Sequence, residues 1–276
     1  MRTIASRTLR IGCVITAGNW LNIGSRPRAK ALYIEAGTWL KRHFLSVGLL
    51  IALMAVCNTT AAAQSTLFNI PSTDAVPKGK TYLEFDFISH LESHSNGGFQ
   101  TYVPRAVFGL GKGVEIGANL SFTDALAPDQ PVELQPNLKW QFYSNEDNGL
   151  AASAGIIGYL PIANRNGVDD FALVYSNVSK KFKGQYGPRL TGGAYGLVGR
   201  EDGLGTKGGA IVGYEQPLHA KVSFVADWLS GYNRFGYVTP GLAFTLPKNS
   251  LLYAGYSIGN EGRKNNALFL YYGITF

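Results

Sequence analysis

The side chains best suited to chemistry gather in one short stretch, Ser89-His90-Leu91-Glu92-Ser93-His94-Ser95. A serine beside a histidine supplies a nucleophile and the base that would activate it. His90, Glu92 and His94, at every second position of an extended chain, face one way and offer nitrogen and oxygen ligands. Both features are also what a polar surface loop looks like, and the Ser/His spacing matches no hydrolase motif. Gly109-Leu-Gly-Lys-Gly113 has the glycines and lysine of a phosphate loop, yet neither Ser nor Thr follows Lys112 and no helix pattern follows the turn. It reads as a hairpin. No catalytic residue, metal site or cofactor is expected on these grounds, and function must be sought in the elements that surround them.

Those elements belong to a chain of 276 residues, 46% hydrophobic and 16% charged, with 34 Gly, 15 Tyr and 15 Phe. So many aromatics with so little charge exclude a disordered chain. The net charge of +7 would suggest an anionic partner, but its distribution does not. Eight of the 25 Lys and Arg and one of the 18 acids fall in residues 1–63, so the remainder carries 17 of each sign and is formally neutral. It presents no basic patch for nucleic acid. Both cysteines, Cys13 and Cys57, also lie before residue 64, which leaves the rest without a disulfide or a thiolate metal site.

The first 63 residues end in an export signal. Lys41-Arg42-His43 precedes an apolar run from Phe44 to Cys57, followed by Asn58-Thr59-Thr60 and Ala61-Ala62-Ala63-Gln64. A basic region, an apolar core too short to span a bilayer and a small-x-small site make a secretory signal, with cleavage expected between Ala63 and Gln64. Residues 1–39 are a long prefix for such a signal, and the reading places the translation start at Leu40.

From residue 81 onward apolar and polar residues alternate with period two. In Val132-Glu-Leu-Gln-Pro-Asn-Leu-Lys-Trp-Gln-Phe142 the odd one of each pair is polar and points away from Val132, Leu134, Leu138, Trp140 and Phe142. The same pattern predicts twelve strands, over 81–90, 99–110, 114–122, 131–144, 150–162, 171–182, 188–199, 207–218, 220–230, 237–247, 251–260 and 267–276. Their connections alternate between tight turns and longer polar loops, as in barrels of the bacterial outer membrane, where short turns face the periplasm. A soluble β-sandwich also alternates, but its strands are typically about 5 to 6 residues, whereas these approach the length a tilted strand needs to cross hydrocarbon. The fold expected is all-β: a transmembrane, antiparallel, up-and-down barrel of twelve strands over 81–276, with residues 64–80 as a periplasmic lead-in.

The chain ends Ala267-Leu-Phe-Leu-Tyr-Tyr-Gly-Ile-Thr-Phe276, placing Leu268, Leu270, Tyr272, Ile274 and Phe276 on one face. A terminal aromatic preceded by apolar residues at alternate positions resembles the assembly signal of bacterial outer-membrane β-barrels, which implies the outer membrane as location and the barrel-assembly machinery as partner. The lead-in from Phe68 to Glu84, Phe-Asn-Ile-Pro-Ser-Thr-Asp-Ala-Val-Pro-Lys-Gly-Lys-Thr-Tyr-Leu-Glu, resembles that of a family of outer-membrane transporters named for the phenol meta-degradation pathway, which implies transport without naming a solute.

In such a barrel the outward faces meet lipid, with Phe122, Trp140, Phe142, Trp228, Tyr256 and Tyr272 as candidates for the aromatic bands. Function then lies in the lumen or the loops. By parity the lumen is lined by Glu84, Asp86, Arg105, Glu115, Asn119, Glu133, Gln135, Lys139, Lys221 and Asp227. Both signs are present, so no strongly selective ring of one charge is expected. Strands 150–162, 188–199 and 207–218 are rich in glycine, which either relieves crowding where the sheet bends or leaves room for a solute beside Tyr159, Tyr195 or Tyr214. The reading is a passive channel or uptake pore for small solutes; the alternatives are a closed structural or adhesion barrel, its charges paired across the lumen, and a barrel-rim hydrolase using the Ser/His stretch.

Overall fold

The structure, a computed structural model, describes residues 65–125, 130–165, 168–199, 205–262 and 265–276. The expected signal peptide and its cleavage residues Ala61, Ala63 and Gln64 lie outside them.

Among the described residues alternation produces twelve strands: β1 (Thr81–His90), β2 (Phe99–Gly111), β3 (Val114–Ala125), β4 (Val132–Asn145), β5 (Leu150–Ala163), β6 (Phe171–Lys181), β7 (Arg189–Gly199), β8 (Gly208–His219), β9 (Val222–Leu229), β10 (Tyr237–Leu246), β11 (Ser250–Gly259) and β12 (Ala267–Thr275). Their ends fall within three residues of those expected. Each strand pairs antiparallel with its neighbours in sequence, and β1 closes onto β12 from Tyr82↔Thr275 to Ser89↔Leu268. Closure leaves no strand edge unpaired.

The turns follow from local chemistry. Gly111, Lys112 and Gly113 all adopt positive φ, at 94°, 53° and 75°, the left-handed backbone that tight hairpins require and glycine supplies without strain. Register shifts occur where strands meet the rims, at Gly109/Gly111, Gln141/Tyr143 and Pro217/His219.

The outer face is apolar. Phe108, Ile116, Phe122, Leu138, Trp140, Phe142, Ile162, Val198, Trp228, Tyr256 and Leu268 are all exposed, whereas the residues between them turn inward and are mostly buried. Tyr272 of the expected aromatic bands is half-buried. The buried core therefore lies inside the wall, and it is not made by the wall alone: Leu67, Phe68 and Ile70, from before β1, belong to the same cluster as Tyr253, Phe269, Ile211 and Val225. Eight strands close around their own side chains and sixteen leave a channel. Twelve leave a space, and here residues 65–76 occupy it.

Candidate functional site

The wall inside the barrel is built from charged pairs set opposite one another by register. Glu84 faces Arg105 across β1 and β2, and Glu115 faces Lys139 across β3 and β4. Directly opposite residues of unlike charge are within reach of each other. Arg105 lies 2.9 Å from Asp86 and 3.4 Å from Glu84, and Lys139 lies 3.0 Å from Glu115. Asn119 and Gln135, also opposite, are joined at 3.3 Å, and Gln135 donates to Glu133 at 3.3 Å. Glu84, Asp86, Glu115, Asn119, Glu133, Gln135, Lys139 and Asp227 are buried, and Arg105 is half-buried. Lys221 departs from the expectation. The bulge at Pro217/His219 ends β8 late and β9 begins only at Val222, so Lys221 stands exposed in the turn and not in the lumen.

Residues 64–80 were expected as a periplasmic lead-in; of these, residues 65–76 enter the lumen and turn back. Leu67 N–H donates to the Ile70 carbonyl at 2.9 Å, and Thr66 pairs with Pro71, so the segment is a small loop with Phe68 to Ile70 at its tip. Its partners come from all sides of the wall. The backbone N–H groups of Phe68, Asn69 and Ile70 donate to one carboxylate oxygen of Asp227, at 3.0, 2.6 and 3.1 Å. The Phe68 ring packs on Tyr253 and Phe269, with centroids 5.7 and 4.6 Å away. Asn69 donates to Thr239, and Asn177 to the Pro71 carbonyl, both at 2.5 Å. Lys139 donates to the Ser65 carbonyl at 2.8 Å, while Glu115 accepts from the Ser65 hydroxyl and the Val76 N–H. Nearer the short-turn rim Arg189 grips Asp74 through both terminal nitrogens, at 2.6 and 2.9 Å. Only a segment within the lumen touches β3, β4, β6, β7, β9, β10, β11 and β12 at once.

Glycines make the space. A Cβ on Gly213 would lie 2.8 Å from Leu67 and 2.9 Å from Ile70, and one on Gly109 only 2.0 Å from the Pro77 carbonyl oxygen. Of the two uses of strand glycine weighed from the sequence, Gly213 serves neither a bend nor a solute but the segment itself. Between segment and wall, beside Arg105, Glu115 and Tyr175, lies a gap of about 30 Å³, room for a water or two.

At the long-loop rim the β9–β10 connection reaches across. Its Arg234 forms a bidentate pair with Glu133 of β4, at 2.7 and 2.6 Å, from the opposite side of the barrel. The guanidinium carbon lies 5.3, 5.5 and 5.4 Å from the ring centroids of Tyr159, Phe171 and Phe235.

The Ser/His stretch does not assemble. His90 Nδ1 bonds the Asn266 carbonyl and its ring stacks on Phe99, with centroids 5.8 Å apart. Ser93 and Ser95 bond each other at 2.9 Å, and His94 opens a single 3-10 turn, His94–Asn96. Along the C-terminal strand Leu268 and Leu270 are exposed, Tyr272 and Phe276 half-buried, and Ile274 buried.

No family model and no curated protein matches the chain. Among solved structures it is similar to an outer membrane channel of Pseudomonas putida F1, at 14% identity and a TM-score of 0.45 over 74% of this chain and 98% of that one. It is similar to outer membrane phospholipase A of Escherichia coli, at 14% identity and 0.44 over 78% and 98%. A third, the toluene transporter TbuX of Ralstonia pickettii, gives 10% identity and 0.36 over 72% and 89%. None of these likenesses assigns a function to the chain.

Proposed function

We propose that the protein is an outer-membrane barrel that passes small solutes, and that the conformation described is its closed state, with residues 65–76 as the plug. A belt of exposed Phe, Trp, Leu, Ile and Val around a closed sheet suits hydrocarbon, where every backbone group must be paired within the protein. The strands are assembled by the barrel-assembly machinery, which reads the alternate residues Leu268 to Phe276.

One observation carries the transport reading: the lumen is filled by a segment tethered at Thr81 and lying outside the ladder. A barrel needing only to be solid would close around its own wall, as eight-stranded ones do. Here the wall carries paired charges that a water-filled lumen would solvate, Glu84, Asp86, Arg105, Glu115 and Lys139 among them. Beside the apolar packing of Leu67, Phe68 and Ile70, the segment is held to it by polar contacts, which water can replace.

The competing reading, a closed structural or adhesion barrel, draws on the same occlusion together with the Arg234–Glu133 contact. Planar-bilayer conductance of the chain from Gln64, set beside a chain lacking residues 65–76, separates the two. Continuous current steps from the shortened barrel support the pore, and a folded shortened barrel that never conducts supports the structural reading.

A further inference from the structure

The outer mouth holds an arrangement that a structural ion pair does not need. Glu133, its side chain only 4% exposed, presents its carboxylate to a guanidinium whose side chain is 42% exposed. Around that guanidinium stand three aromatic rings. Tyr159 and Phe171, paired across β5 and β6, stack with planes 5° apart and centroids 4.7 Å apart. Phe235 leans over them, 5.0 and 6.0 Å away. Ring faces carry negative charge and attract cations, and most strongly those that shed water readily. A carboxylate adds Coulomb attraction and two acceptor oxygens. Together they favour a weakly hydrated organic cation over sodium or potassium, and over any neutral solute.

The cation in place belongs to the protein itself, and it is mounted so that it can leave alone. The turn carrying it is fixed by its neighbour Asn233, which is buried. Asn233 donates to the Tyr195 hydroxyl and to the Thr206 carbonyl, both at 2.7 Å, and its side-chain oxygen accepts from the Phe235 N–H at 2.9 Å. Rotation of the Arg234 side chain therefore uncovers the carboxylate without unfolding the loop or moving Phe235.

We infer that Glu133, Tyr159, Phe171 and Phe235 form a binding site for organic cations of the guanidinium or quaternary-ammonium class, and that Arg234 is a built-in occupant which such a ligand displaces. As a first stop on a transport path the site rests on the channel reading above; as a binding site it stands without it. The occupant lowers apparent affinity by the fraction of time the cage is free, which makes Arg234 a determinant of how strongly, and not of what, the site binds.

The test uses choline, methylguanidinium and 3,3-dimethylbutan-1-ol, the uncharged carbon analogue of choline, each titrated by saturation-transfer NMR into the refolded chain from Gln64 in detergent. Both cations bind the wild type, and Arg234→Ala binds them about tenfold more tightly because the cage is then always free. Adding Glu133→Gln to that variant abolishes the gain, and the alcohol neither binds nor competes. Should Arg234→Ala fail the heat-modifiable gel test for a closed barrel, Arg234→Gln carries the same expectation. Affinity no higher without the arginine, or equal binding of the alcohol, overturns the assignment. Cation binding by a barrel that never conducts would remove the channel reading and leave this site standing.

Discussion

Asp227→Asn is the sharpest perturbation of the plug, because it changes charge at constant shape. One carboxylate oxygen accepts from Phe68, Asn69 and Ile70, at 3.0, 2.6 and 3.1 Å. Net of exchange with water, a hydrogen bond to a charged group contributes about 1.5–3 kcal/mol and a neutral one about 0.5–1.5. The amide oxygen keeps the bonds but loses about 1 kcal/mol from each. Because three donors share one oxygen, the total is nearer about 2 kcal/mol than 3, or about thirtyfold in the ratio of open to closed. Single-channel recording in a planar bilayer reads this ratio directly, as shortened closed intervals at unchanged step height. The backbone pairing of β9 with its neighbours is untouched, so heat-modifiable migration is the same as wild type. Closed intervals as long as those of the wild type, in a preparation where removal of residues 65–76 gives continuous current, would refute the claim that the Asp227 anchor holds the plug in place.

Three further outcomes follow from the same packing. Gly213→Val places methyl groups against Leu67 and Ile70, already 2.8 and 2.9 Å from a Cβ there, and less tightly against Thr191 of the wall at 3.2 Å; most of an overpacking of about 1–3 kcal/mol falls on the plugged state, so open probability rises by up to about 5- to 150-fold while the barrel still closes on a gel. Lys139→Met leaves Glu115 buried beside an apolar chain and lowers stability by about 3–5 kcal/mol, measured as the urea midpoint of gel migration, and adding Glu115→Gln restores most of the loss. In the barrel lacking residues 65–76, Lys139→Glu sets two carboxylates side by side on β3 and β4, and the reversal potential in a salt gradient moves toward cation selectivity; an unmoved potential places Lys139 away from the conducting path.

The barrel was legible because its period is two and uninterrupted. Val114 to Phe122 and Val132 to Phe142 each separate an apolar face from a polar one, and the structure puts Ile116, Phe122, Trp140 and Phe142 outside and Glu115, Asn119, Glu133 and Lys139 inside. Lys221 was misplaced not by its parity, which matches Ser223 and Asp227, but because β9 begins only at Val222 and leaves it in the turn after the β8 bulge. The plug was missed for a different reason. Its proline, Pro71, and lack of period say only that it is no strand, yet Leu67, Phe68, Ile70 and Val76 are four apolar residues in a segment expected to sit in water, and that excess was the available signal. Arg234 was hidden by its place in a loop, since parity assigns faces on strands and says nothing of a connection that folds back across the mouth. The cluster Tyr232-Asn-Arg-Phe235 was visible, but its partner Glu133 lies 101 residues away in sequence.

The central claim is that residues 65–76, and nothing in the wall, close the lumen. The most direct measurement is planar-bilayer conductance of the chain from Gln64 and of the chain starting at Pro77, each shown by heat-modifiable migration to be a closed barrel and probed with solutes of graded size. The account predicts rare, brief openings from the longer chain and long-lived current steps from the shorter one, blocked progressively as the solutes grow. A shorter chain that folds, inserts and stays silent would contradict it.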